Sequence, residues 1–152
     1  MSKCCFCCCP VKPDKPEPKC FEPAWGSYLS MTQYQHMEYQ EPIKFDTTMS
    51  ENGVERNSDY TFTLKPAKYW RIDFGVQAYS TSGIAEFLFI LNGGQVATMP
   101  IPSSSGQNHY SFSFIVPAKE NSVLKILGTG HPIDLDPHQP NAWLTIQAIA
   151  DL

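Results

Sequence analysis

After Cys20 the chain contains no cysteine, although it holds six among its 152 residues. That excludes a disulfide framework inside a folded body, because such a framework needs thiols spread along the loops it closes. Charge is also scarce: Asp, Glu, Lys and Arg make up 17%, against about a quarter in ordinary soluble domains. With a formal net charge of -4 and no basic stripe, nucleic acid is not an expected partner. No apolar run approaches the ~20 residues of a membrane helix, so no membrane span is expected. There is no Gly-X-Y repeat, hence no collagen-like stalk, and no convincing amphipathic helix. Gly-x-Ser-x-Gly, a Walker-type loop and paired catalytic carboxylates are all missing. The reading is therefore not an enzyme, with no catalytic residue, cofactor or metal site. The start lacks the pattern of a secretory signal, so the expectation is a protein made in the cytosol without a signal peptide.

What is there falls into three zones. Cys4, Cys5, Cys7, Cys8 and Cys9 crowd around Phe6, and Cys20 follows alone. Adjacent cysteines pair with each other only under severe strain. Cys20 can serve one of the five, and the rest need another partner. Intersubunit disulfides are the first reading; metal binding, S-acylation and reduced thiols stand beside it. Residues 1–11 are read as a connector strand, with Phe6 as its docking anchor. Residues 12–24 are a proline-rich spacer. Pro10, Pro13, Pro16, Pro18 and Pro23 favour an extended polyproline II path, and residues 10–18 would span roughly 28 Å at ~3.1 Å per residue. Lys3, Lys12, Lys15 and Lys19 outnumber Asp14 and Glu17, which leaves the N-terminal arm basic and the remainder acidic.

Residues 25–152 read as one all-β domain. Apolar residues make up 42%, enough for a core at this length without covalent help. Trp70, Ile72, Phe74, Val76 and Ala78 alternate with polar neighbours, the period-2 signature of a half-buried strand. Phe62 and Leu64 repeat the pattern after Tyr60, as do Tyr110, Phe112, Phe114 and Val116, and Leu144, Ile146, Ala148 and Ala150. Phe87-Leu88-Phe89-Ile90-Leu91 is continuously apolar, which predicts a strand covered on both faces. Asn92-Gly93 predicts a tight hairpin turn. Gly128-Thr129-Gly130 and Ser103-Ser104-Ser105-Gly106 predict loops. Many short strands at regular spacing imply a sandwich or jelly roll. Nine Phe and seven Tyr exceed what one sandwich face readily hides, so the domain is expected to trimerise. Trp70, Phe74, Phe87, Phe89, Phe112 and Phe114 are the candidates for core and trimer packing.

His131-Pro132-Ile133-Asp134-Leu135-Asp136-Pro137-His138 gathers metal-ligand types, but follows no known ligand spacing. It is read as a polar loop without regular structure. His36 and His109 stand alone in the sequence and are read as surface or satisfied residues.

The order of pieces carries a resemblance. Pro42-Ile43-Lys44-Phe45-Asp46, the run from Tyr60 to Phe74, the hairpin Glu86–Gly93 and Ala142-Trp143-Leu144-Thr145-Ile146 together resemble the globular heads of the complement C1q and tumour-necrosis-factor-like (TNF) family. That resemblance implies a jelly-roll sandwich forming homotrimers with an aromatic-rich face along the threefold axis. A cysteine-rich connector, a proline spacer and a jelly roll in this order also resemble the subunits of bacterial endospore appendage fibres. This implies an extracellular structural subunit on the spore surface whose partners are copies of itself. Its trimers would stack through donated N-terminal strands and intersubunit disulfides, with a separate anchor or tip protein. The alternative is a trimeric head that binds a ligand or receptor and is anchored by its N-terminus.

Overall fold

The computed structural model describes residues 20–66 and 68–152. The expected connector strand, with Phe6 and the first five cysteines, and the spacer up to residue 19 lie outside the described residues.

Among the described residues there is no helix. The strands are β1 (Trp25–Ser30), β2 (His36–Met37), β3 (Thr47–Asn52), β4 (Val54–Ser58), β5 (Thr61–Leu64), β6 (Lys68–Tyr79), β7 (Ala85–Leu91), β8 (Gly94–Ile101), β9 (Asn108–Ala118), β10 (Ser122–Gly130), β11 (Ile133–Leu135) and β12 (Ala142–Asp151). They form a seven-stranded sheet, in the order β2-β11-β6-β12-β1-β3 with β9 on the other side of β6, and a five-stranded sheet, β4-β5-β10-β7-β8. All pairings are antiparallel. The two sheets face each other as a jelly-roll sandwich.

The alternation in β6 is what builds the core. Trp70, Ile72, Phe74, Val76 and Ala78 all point inward, none more than 1% exposed. Phe62, Leu64, Phe87, Phe89, Leu124 and Ile126 meet them from the second sheet. The rings form a chain of edge contacts, with Phe45 to Phe62 at 5.7 Å, Phe74 to Phe87 at 5.3 Å and Phe74 to Phe89 at 5.4 Å. Each such side chain contributes about 1.5–3 kcal/mol through burial. The hairpin between β7 and β8 turns at Asn92 and Gly93, both at positive φ (51° and 81°), as the Asn-Gly pair predicts.

Three expectations are corrected. Phe87 and Phe89 face the core, whereas on the other face of β7 Leu88 is only half-buried and Ile90, 8% exposed and outside the core cluster, lies in register with Lys125 and Gln95. Long neighbours in a two-dimensional sheet shelter such residues without a third layer. Gly128-Thr129-Gly130 is the end of β10, paired with Phe87, Glu86 and Ala85, not a loop. A Cβ on Gly130 would lie 2.6 Å from the carbonyl oxygen of Ile84, so the glycine permits close approach of the two chains. The segment from His131 to His138 contains β11, whose Ile133 and Leu135 are buried and pair with β2 and β6. Its flanking prolines end the strand rather than forbid it.

The sandwich has two distinct ends. At the proximal end lie Trp25, Lys68, Ala118 and Asp151; at the distal end lie Ser30, Tyr79, Asn108, Gly130 and Ala142.

Candidate functional site

Three surfaces deserve weight as assembly sites: an open edge, the junction with the arm, and a cleft at the distal end. The open edge is β9, which bonds to β6 on one side and to no other named strand. Its inward side chains therefore stand at the mouth of the sandwich. Tyr110, Phe112 and Phe114 are only half-buried, although they pack against the core. Phe112 stacks on the buried Phe89 at 5.5 Å, and Phe114 meets it edge-on at 4.9 Å. On the outer face Trp143 lies across Gly75 with its ring 4.8 Å from that of His109. A Cβ on Gly75 would fall 2.0 Å from Trp143, so only glycine lets the indole lie flat. Ile115, Tyr69 and Ile149 extend this face, 60%, 39% and 42% exposed. It is a partly apolar, aromatic edge that no other described strand pairs with.

The arm joins at the proximal end. Lys68 Nζ donates to the carbonyl of Glu22 (3.0 Å) and to Asp151 Oδ1 (2.9 Å), and lies 4.8 Å from the centre of the Phe21 ring. Asn52 Nδ2 donates to the carbonyl of Pro23, and Ala148 N to that of Ala24. Cys20 is exposed there. Beside this junction runs β3, the outermost strand of its sheet. Five of its six residues are exposed, with Met49 at 62%. It lacks the prolines that interrupt β8 (Pro100) and β9 (Pro117), and its one charge, Glu51, accepts a hydrogen bond from Tyr28. Burial first and that bond second hold the Tyr28 hydroxyl well above the usual tyrosine range. β3 is an unguarded edge.

The distal cleft centres on Tyr34, 74% exposed and held at φ 54°. Non-glycine residues rarely adopt that conformation, and it persists only when the surroundings over-determine it. They do so here. Gln35 Nε2 donates to Ser30 Oγ and to the carbonyl of Lys44, while its Oε1 accepts from Lys44 N. Leu135 N donates to the carbonyl of Gln35. Asp46 accepts from Met31 N (2.8 Å), Thr32 Oγ1 (2.5 Å) and Thr47 Oγ1 (3.2 Å). Burial alone would raise the Asp46 carboxyl, but those hydrogen bonds outweigh it and hold it below the usual range. Buried Asn141 donates to the carbonyls of Thr32 and Asp136.

His36 is an exposed, satisfied residue, as one of the two expected readings has it, with partners on two segments. Its Nδ1 lies 2.6 Å from Asp134 Oδ1 and its Nε2 3.0 Å from Glu38 Oε1. The carboxylates sit on opposite nitrogens of one ring, not around a common point, and no metal-binding group of three or more His, Cys, Asp or Glu occurs among the described residues. The bond to Asp134 first, then that to Glu38, raises the imidazole above its ordinary pKa. Because the folded value is raised, the stabilisation is complete below 6.5, the unfolded value, and fades as pH climbs through the folded value. The pair is exposed and worth less than about 1 kcal/mol. Thermal unfolding followed from about pH 6 to about pH 9 should show a small loss of Tm that His36→Gln removes; parallel curves would mean that the clamp is inert.

Of the packing candidates, Trp70, Phe74, Phe87 and Phe89 are buried and Phe112 and Phe114 are half-buried at the open edge. Sequence reading missed Tyr34 and the Asp134–His36–Glu38 contact, since no local signal marks a positive φ at tyrosine or a pairing between distant segments.

No family model and no curated protein matches the chain. Solved structures do. Eiger TNF from S. frugiperda superposes with a TM-score of 0.70 at 9% identity, covering 86% of this chain and 93% of that one. The globular domain of zebrafish complement 1qA protein gives 0.64 at 14%, covering 86% and 100%. Murine APRIL at pH 5.0 gives 0.63 at 7%, covering 84% and 100%. At these identities the likeness carries the fold, a TNF/C1q-like jelly roll.

Proposed function

We propose that this chain is the structural subunit of a self-assembling extracellular fibre, a homotrimer that stacks through its N-terminal arm. The observation that carries the reading is the open β9 edge, where Tyr110, Phe112 and Phe114 are left half-covered. Aromatic surface of this kind is stabilised by a neighbour, and a cyclic trimer of identical edges supplies one. The likeness in fold to TNF and C1q heads supports the same arrangement.

In this reading residues 1–11 leave their own subunit and add as a strand to the next trimer, with Phe6 as anchor. The unguarded β3 is the acceptor edge, because an incoming strand gains main-chain hydrogen bonds there. Cys4, Cys5, Cys7, Cys8, Cys9 and Cys20 then form intersubunit disulfides outside the cell, on a spore surface where a separate anchor or tip protein would hold the fibre. The role is structural, not enzymatic. The exposed distal cleft favours the second reading, a trimeric ligand-binding head.

Electron microscopy of the purified full-length protein separates the two: filaments support the fibre, and dispersed particles support the head. Boiling the filaments in detergent should dissolve them only when a reductant is present. Equal dissolution without reductant would remove disulfides from the mechanism.

A further inference from the structure

We infer that the cleft around Tyr34 at the distal end receives the proline–lysine segment, residues 10–19, of a second copy of this chain. The inference rests on the fibre reading and assigns part of its stacking contact. Two hollows of about 320 and 270 Å³ meet at Tyr34, Gln35 and His36. Tyr79, Pro137, Gln107 and Asp134 complete the first; Tyr60, Pro42, Glu41 and Lys44 help to line the second. Aromatic walls with a few polar groups are the surface that proline-rich segments dock on, since a polyproline II strand is already extended and loses little entropy on binding.

Charge selects the occupant. Asp134 lines the first hollow, Glu41 the second, and Glu38 bonds His36 between them, while the described chain has no Lys or Arg before Lys44, between Arg71 and Lys119, or after Lys125. The segments that line the first hollow therefore come from stretches free of Lys and Arg; the hairpin that brings Tyr60 to the second carries Arg56, which pairs with Asp59 at 3.0 Å. Lys44 itself faces Asp59 at 3.6 Å. The arm is basic. With three residues per turn in a polyproline II helix, Pro10, Pro13 and Pro16 would share one ridge, Lys12 and Lys15 a second, and Val11, Asp14 and Glu17 a third. Laying the proline ridge on Tyr34 and Tyr79 brings the lysine ridge towards the acidic rim and leaves Asp14 and Glu17 facing away.

The donor must be another copy. β6 has 12 residues and at ~3.3 Å per residue runs roughly 40 Å between the two ends. Cys20 sits at the proximal end; fully extended, Lys15 stands at most about 18 Å from it and even Pro10 at most about 36 Å, so most of residues 10–19 falls well short of the distal cleft. A subunit therefore cannot fill its own cleft. Proximal arm to distal cleft is a head-to-tail contact that does not close on itself. The geometry also joins this contact to strand donation. β3 begins beside the distal loop, since Thr47 follows Asp46, which bonds Met31 and Thr32. A segment leaving the Tyr34 cleft would run down β3 antiparallel to it.

The test uses the full-length chain with Tyr34→p-benzoylphenylalanine, prepared as a mixture of isotopically light and heavy copies. Irradiation followed by mass spectrometry should give light–heavy cross-links to residues 10–19. Electron microscopy of the same sample keeps the two claims apart. Filaments with cross-links elsewhere, or with none, would overturn the cleft assignment and leave the fibre reading standing; absence of both filaments and cross-links would overturn both. A labelled peptide of residues 10–19 should also bind the full-length protein. Tyr34→Gly, which relieves the positive φ and so keeps the loop, should weaken that binding by about tenfold or more, as loss of an anchor ring does. A peptide with Lys12, Lys15 and Lys19 changed to Glu should bind no better than a scrambled control. Equal affinity of wild type and Tyr34→Gly would exclude the cleft.

Discussion

Phe89→Ala should lower the unfolding free energy by about 3–5 kcal/mol in urea denaturation, the usual cost of emptying a phenylalanine site in a core. Phe89 is 0% exposed. Its ring touches Phe74, Phe112 and Phe114 at centroid distances of 5.4, 5.5 and 4.9 Å, so three aromatic contacts disappear together with the transfer term. The core ring Phe74 also contacts Phe87 and Phe45 and has little room to collapse into the void. Phe112→Ala behaves differently. Its ring is half-exposed in the subunit, so the cost to subunit folding should be smaller while association suffers more. Sedimentation of the Phe112→Ala protein against concentration should show the trimer dissociating at higher concentration than in the wild type. A Phe89→Ala cost below about 2 kcal/mol would mean that the sandwich relaxes around the void.

Deleting residues 1–11 should abolish filaments while leaving soluble trimers. The described strands begin at Trp25, and the core among the described residues runs from Ala24 to Ala148. The trimer contact proposed on β9 likewise needs nothing from the arm. Removing the connector thus takes away the open-ended contact and spares the closed one. Electron microscopy and sedimentation velocity on the same sample give the result. Filaments that still grow from the truncated protein would sink strand donation, and monomers would sink the β9 trimer.

How much of this was legible in advance depends on the range of the interaction. Alternation in β6, β9 and β12 is a local property of the chain, because a pleated strand sends successive side chains to opposite faces. Trp70, Ile72 and Phe74 thus declared their common face in sequence alone, and Asn92-Gly93 declared its turn through the backbone freedom of those two residues. The restriction of cysteine to the first twenty residues likewise established that the domain holds itself together by burial. Pairing is another matter. The glycines of 128–130 look like a loop until β7 lies beside them, where Gly130 makes room for the carbonyl of Ile84. Ile133–Leu135 becomes a strand only because β2 and β6 offer it partners. Phe112 and Phe114 carry the same alternating pattern as Phe74, yet end half-exposed because β9 falls at a sheet edge. His36 meets Asp134, and Tyr34 is forced to positive φ, through contacts between segments far apart in the chain. The sequence by itself determined strands such as β6, β9 and β12 and their inward faces, since these follow from local periodicity. Only the tertiary structure decided which strands became edges, where the acidic end lies and what surrounds Tyr34, since these depend on which distant segments the packed sheets bring together.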